Sequence, residues 1–512
     1  MNGDYGSLRL IDFSSDAHQH SGDDGGNNDN DNPHISVLKG EDGNDIGGSH
    51  QSSLLAQSFR DALSSAGSVS SSVRNLIVDG ALHHSGPPVS IRILGGKSTM
   101  VRSSFTLIKN LVGAGVLALP SGVAAFADSK DAIGVASIWL IVMGAAFAYE
   151  FQLISKVCDI TVTATFRGAF DETVGRDESL AWAGLAVSWA NMLKPALGNL
   201  AYSMILADTF KSLFATIGWD VTRSVALLLV TLLGILPLCL LKNLDALAPF
   251  SIMGTLSIMV IATCMGIRCF DGSYDPANDG RFLDDISTEL QPMFGNHNGC
   301  WTAQVLVFVA MVFEAFVAHY NAPRFYAELK DADLPRFRNV VANGFGSSTI
   351  IYILVTSFGF LTFGGNCDGY ILNNYSVQDS LMTVSRVFIA FSVLFTYPVT
   401  FMGTRDGVLD ILSLPESKQT SSNVNIVTVV LLTIITIVAS ITRDLGMVNA
   451  VGGGSLATLI VFVFPALMYR SAISNQELTP KLSEEREATF SMILLVIGCI
   501  MGATGVAVEL MR

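Results

Sequence analysis

Charge is what this sequence lacks. Only 14% of its 512 residues are Asp, Glu, Lys or Arg, where an ordinary soluble protein carries about 25%. Charged side chains keep a soluble surface wet, so the deficit excludes a conventional soluble enzyme of two or three domains. Basic charge is the scarcer kind: 30 Lys and Arg stand against 44 Asp and Glu, a formal charge of −14. That sign repels phosphate, and no nucleic-acid partner is expected. Seven cysteines do not make a disulfide scaffold. There is no G-x-x-x-x-G-K-[ST] loop, no Cys/His spacing of a zinc site and no nucleophile–base constellation, so neither an ATP-driven pump nor an enzyme is expected. No metal and no resident cofactor are implied. What the chain does have is apolar sequence, half of all residues with a mean hydropathy of +0.48. Its partner is a lipid bilayer, and the fold class is an all-α polytopic membrane protein.

The average conceals a division near residue 100. Residues 1–100 hold twelve acids, six bases and six of the eight histidines, with polar runs such as GDDGGNNDNDN. So little apolar surface cannot repay the entropy of ordering, and the segment reads as a disordered acidic cytosolic tail. Its start is polar, so no cleavable leader is expected. A patch from Leu54 to Gly80 has roughly helical apolar spacing and could dock a cytosolic partner. The second domain, residues 101–512, contains apolar stretches near the length of about 20 residues that a spanning helix needs. Eleven are counted: 104–126, 132–157, 182–210, 224–241, 246–267, 301–322, 341–363, 384–402, 424–441, 446–469 and 489–510. The third is interrupted by Lys194-Pro195.

With the tail in the cytosol, sixteen Lys and Arg fall at inner ends and loops and eight at outer ones, the bias that sets orientation. One N-x-[ST] acceptor, Asn374-Tyr375-Ser376, lies in the loop after span 7, on the outer side of that topology, and is a candidate glycosylation site. Cys300 and Cys367 fall on the same side and are a candidate disulfide, with Cys269 as a competing partner.

The first span carries chemistry. In Asn110-Leu-Val-Gly-Ala-Gly-Val-Leu-Ala-Leu-Pro120, two glycines around a small residue can break a helix at membrane depth. The break frees carbonyls suited to a cation and amides suited to a carboxylate. Close helix packing is the equal alternative from these letters alone. Ionisable residues at such depth are costly and usually functional. Glu314 in span 6, His319 five residues on and Lys194 in span 3 are therefore candidates for a proton relay or gate. A structural pair of Glu314 with Lys194 or Lys109 is the competing reading.

The Asn110–Pro120 segment resembles the first-helix signature of the amino acid/auxin permease family. The likeness is closest to its branch of sodium-coupled neutral and vacuolar amino-acid transporters. Further matches follow in order: Ile235 to Leu247; His319 with Tyr326-Ala-Glu-Leu329; Phe395-Thr-Tyr-Pro398 with Arg405; and Ala457-Thr through Phe464-Pro-Ala-Leu-Met-Tyr-Arg470. The resemblance implies a five-plus-five inverted repeat similar to the bacterial leucine transporter, with an eleventh helix added. It implies secondary active transport of amino acids by alternating access, coupled to Na⁺ or H⁺. Val112, Gly113, Ala114 and Gly115 would offer backbone groups to the substrate, and Asn110 and Thr396 would hold a coupling ion. An amino-acid sensor signalling through the tail and a passive uniporter are the alternatives. Plasma membrane and vacuolar or lysosomal membrane are both consistent with it. The sequence departs from the pattern at Lys109, where the branch more often has a small or polar residue.

Overall fold

The computed structural model describes residues 96–177, 183–241, 251–297, 299, 302–411, 421–475 and 481–512. Among these the fold is helical. Extended pairing is confined to two isolated bridges, Ser98 with Leu329 and Met293 with Gly364. The tail expectations, including the Leu54–Gly80 patch, lie outside the described residues.

Local chemistry starts and stops the helices. Thr99 caps α1 (Met100–Leu111) by accepting from the Arg102 amide at 3.3 Å. A short tight turn and α2 (Leu119–Ala124), with Pro120 in its first turn, continue the first span beyond a break. Then follow α3 (Ala132–Thr161), α4 (Ala183–Thr216), α5 (Arg223–Cys239) and α6 (Ser251–Phe270). The second half opens with α7 (Val305–Phe316), a break, and α8 (Ala322–Glu328). It continues through α9 (Leu334–Phe363), capped by Asp333 on the Arg336 amide, and α10 (Ser380–Ile411). The last three are α11 (Ser421–Ile441), α12 (Leu445–Ser474) and α13 (Leu482–Met511).

Seven of the described helices are long and apolar enough to cross a bilayer, or eight with α1 and the bent segment after it counted as one. The chain is a multi-pass membrane protein. The other three expected spans fall on α4, which carries Lys194 and Asn199 within its length, and on the shorter apolar helices α5 and α6. The expected interruption at Lys194-Pro195 does not occur: α4 runs 34 residues with Pro195 inside it. Proline removes one backbone donor, but neighbouring packing can carry a spanning helix through it. Here a Cβ on Gly403 of α10 would lie 3.4 Å from the Pro195 ring.

Small residues set the helix crossings. A Cβ on Gly359 of α9 would stand 2.6 Å from Pro120, and one on Gly144 of α3 would stand 2.5 Å from Thr349 of α9. At Gly453 of α12 it would fall 1.8 Å from the Ala310 carbonyl of α7. The Gly452–Ser455 run therefore buys backbone approach, and α12 winds as a π-helix over Gly453–Ala457 to permit it. The segment α7–α8 forms the centre, with 72% of its apolar window buried, whereas α11 and α13 bury 22% each. Those two helices display Ile434, Ile437, Ile493 and Ile500 outward, an apolar surface suited to lipid.

Candidate substrate and ion site

Two helix breaks face one another in the middle of the bundle. After α1, Val112 (φ −79, ψ 79) turns the chain, with the Gly113 amide donating to the Leu111 carbonyl at 2.8 Å; Gly113 (φ −97, ψ 179) is extended, and the chain restarts at Ala114 bent by 43°. After α7, Val317 (φ −72, ψ 112) is extended, and a tight turn over His319–Asn321 leads into α8. Each break ends one run of helical hydrogen bonds and starts another, leaving carbonyls on one side and amides on the other without intrahelical partners. Carbonyl ends carry partial negative charge and amide ends partial positive charge.

Side chains tie the breaks together. The Tyr352 hydroxyl of α9 lies 2.6 Å from the Leu111 carbonyl and 2.7 Å from the Ala315 carbonyl. One hydroxyl reaches a carbonyl in the last turn of each half-helix. Asn321 Nδ2 donates to Asn110 Oδ1 at 3.4 Å. Over the first break stand Tyr202 of α4, whose hydroxyl would be 3.5 Å from a Cβ on Gly113, and Asn449 of α12, whose Nδ2 would be 3.9 Å from a Cβ on Gly115. Both glycine positions thus open on space bordered by hydrogen-bonding groups. Tyr352, Asn321, Tyr202 and Asn449 were not singled out from the sequence. Their signal was faint: a lone polar side chain in an apolar span, of which there are many.

Lys194 and Glu314 come together as a buried ion pair, Nζ to Oε1 2.5 Å, with side chains 9% and 11% exposed. This is the structural pairing weighed from the sequence, and Lys194 rather than Lys109 is the partner. Glu314 Oε2 has no hydrogen-bond partner among the described residues and lies 3.0 Å from where a Cβ on Gly452 would be. His319 goes elsewhere. Its ring sits among Phe147, Phe151 and Phe345, with Nε2 2.9 Å from the Phe147 carbonyl. No hydrogen bond among the described residues links His319 to Glu314 or Lys194, so these three do not form a continuous relay in this structure. The helix break between Phe316 and His319 turns the two side chains toward different neighbours.

Thr396, on α10, donates its hydroxyl to the Ser392 carbonyl at 2.8 Å. The same helix is joined to α4 by Ser203–Tyr397 (3.0 Å) and Asn199–Thr404 (3.2 Å), making α4 and α10 one wall. The loop 364–379 covers one end of the bundle. Tyr370 shares a 2.8 Å hydrogen bond with Thr209, and the Arg386 guanidinium donates to the carbonyls of Leu372, Tyr375 and Ser376. The glycosylation expectation meets a correction here. Asn374 is fully buried, its Nδ2 donating to Leu290 and Asn366 and its Oδ1 accepting from the Asp368 amide. A glycan on that nitrogen has no room in this fold. Of the candidate disulfide, Cys300 lies outside the described residues, and Cys367 is a free thiol 3.6 Å from the Gly359 carbonyl.

Residues 96–511 match the family described as transmembrane amino acid transporter protein. The chain belongs to that family. Relatives include sodium-coupled neutral amino acid transporter 11 of Mus musculus, 23% identical over 81% of this chain and 84% of its own. The Bos taurus counterpart is 25% identical over 78% and 81%. Vacuolar amino acid transporter 2 of Saccharomyces cerevisiae is 22% identical over 72% and 75%. Among solved structures, MhsT in complex with L-phenylalanine is similar at a TM-score of 0.49 and 12% identity, covering 80% of this chain and 99% of that one. The inward-facing conformation of Mhp1 is similar at 0.48 and 11%, over 83% and 91%. Membership in this family makes amino-acid transport the business of residues 96–511.

Proposed function

We propose that this protein is a secondary transporter of amino acids, driven by a Na⁺ or H⁺ gradient and working by alternating access. The observation that carries the reading is the pair of facing helix breaks joined by Tyr352 and by Asn321–Asn110. Backbone amides at Ala114 and Gly115 receive the α-carboxylate, and carbonyls about Val112 and Gly113 receive the α-ammonium. These contacts are common to all amino acids; Tyr202 and Asn449 stand where a substrate side chain would pass. The arrangement is that of eleven spans, two inverted five-helix repeats and an added α13. The tail is cytosolic, and the membrane is the plasma membrane or that of a vacuole or lysosome. The Lys194–Glu314 pair joins the α4 wall to the half-helix α7. It acts as a gate that must loosen when the wall moves.

Radiolabelled amino-acid uptake into proteoliposomes tests this. Concentrative uptake of at least one amino acid under an imposed cation gradient is expected. Equilibration that ignores every gradient would make the protein a uniporter, and binding without flux would make it a sensor.

A further inference from the structure

The cation expected near Asn110 and Thr396 has a competitor within the chain. Lys109 ends the last turn of α1, beside Asn110. A long side chain at a helix end in a membrane ordinarily reaches out to the interface; that of Lys109 is half-buried and lies against α6. A Cβ on Gly254 of α6 would stand 3.8 Å from Lys109 Cε and 3.4 Å from Ser392 Oγ of α10. The lysine therefore crosses from α1 into the small space shared with α6 and α10. Ser392 lies one helical turn before Thr396 and accepts the Thr396 hydroxyl on its carbonyl. No ion pair among the described residues includes Lys109, and the apolar helix α6 carries no carboxylate in Ser251–Phe270.

One of the two side-chain oxygens expected to hold sodium is already engaged. Asn110 Oδ1 accepts from Asn321, and the amide nitrogen beside it is buried without a partner among the described residues. A hard cation requires several free oxygens. Here it would meet an ammonium and an N–H donor, with the Thr396 hydroxyl oxygen left as a side-chain acceptor. Like charges repel strongly in a medium of low dielectric constant.

We propose that the Lys109 ammonium takes the place of a coupling sodium between α1, α6 and α10, so that this chain binds and transports its substrate without sodium. The inference rests on the transporter reading for its consequence, but the vacancy for sodium can be read without transport.

Thermal unfolding of the purified full-length protein in NaCl and in choline chloride reads it directly. The native protein should give the same midpoint in both salts. Lys109→Ser, which removes the charge and leaves an oxygen, should gain a sodium-dependent upward shift, and Lys109→Arg, which keeps the charge, should not. Uptake in proteoliposomes should be unchanged for the native protein when sodium is replaced by choline, and at least tenfold sodium-stimulated for Lys109→Ser. A sodium-dependent midpoint or tenfold sodium-stimulated uptake in the native protein overturns the proposal. So does a folded Lys109→Ser that ignores sodium in both assays. If Lys109→Ser does not fold, the native protein's response to sodium still decides. Absence of uptake of any amino acid, together with the expected shifts, would defeat the transporter reading and leave the lysine's role standing.

Discussion

Lys194 and Glu314 show what a buried charge costs a membrane protein. Each would be expensive alone, and together they satisfy one another at 2.5 Å. Removing one partner of a buried pair typically costs about 3–5 kcal/mol, because the other is left uncompensated. Lys194→Met should therefore lower the unfolding midpoint far more than the double variant Lys194→Met/Glu314→Leu, as measured by thermal unfolding in detergent. Equal losses would mean the pair is not held as described. Gly113 poses a different question, since its φ of −97 is open to any residue. A Cβ there meets only the Tyr202 hydroxyl at 3.5 Å, so what the glycine provides is space. Gly113→Val should fold with a near-native midpoint and lose at least tenfold in uptake.

Asp368 lies in the covering loop, outside the spans. Burial holds its carboxyl above the ordinary 3.8, against hydrogen bonds from the Tyr370 amide and Asn373. An acid whose folded pKa is raised keeps its proton longer in the native state. Its stabilising contribution is present below the ordinary value and lost as pH rises through the folded one. The midpoint of the native protein, taken relative to Asp368→Asn, should fall as pH is raised from about 4 toward 7. A pH-independent difference would remove the burial argument.

Among the elements, α7 and α12 are separated by no side chain at their crossing. A methyl on Gly453 would stand 1.8 Å from the Ala310 carbonyl, and backbone cannot swing aside as a flexible side chain can. Gly453→Ala should destabilise by about 1–3 kcal/mol, the usual cost of overpacking; an unchanged midpoint would show that the π-helical turn absorbs the methyl. The hydroxyl of Tyr352 joins the ends of α1 and α7. Tyr352→Phe removes the hydroxyl from the Ala315 carbonyl and leaves the Leu111 carbonyl only the Gly113 amide, at about 1–3 kcal/mol for an unsatisfied group. If the breaks move as one, the variant should also lower uptake at saturating substrate, which a purely structural ring would not do.

For the whole molecule, the proposed orientation puts Lys330, just after α8, on the cytosolic face and the loops around Asp284 and Tyr370 on the other. In a background without native cysteines, a membrane-impermeant thiol reagent should label Asp284→Cys on intact cells. Lys330→Cys should label only after permeabilisation. The reverse pattern would invert the topology and, with it, the direction in which a gradient could drive the substrate.

Sequence alone determined what depends on solvent and on local backbone chemistry. Sparse charge and long apolar runs specified a helical membrane protein, because a chain in lipid must satisfy its own backbone. Gly113-Ala-Gly115 offered a break or a close packing in the first span, and the structure decided for the break. The two outcomes that differed from expectation both depended on partners far along the chain. Pro195 stayed helical because α10 packs against it, and Asn374 became a buried turn residue because the loop folds back onto the carbonyls of Leu290 and Asn366. Only the tertiary structure decided that Glu314 pairs with Lys194, 120 residues away, that His319 turns into an aromatic cage, and that Lys109 reaches inward between α6 and α10. The period of a helix tells which residues share a face. Which helix that face meets is settled by packing the whole bundle, and that choice gives each buried charge its partner.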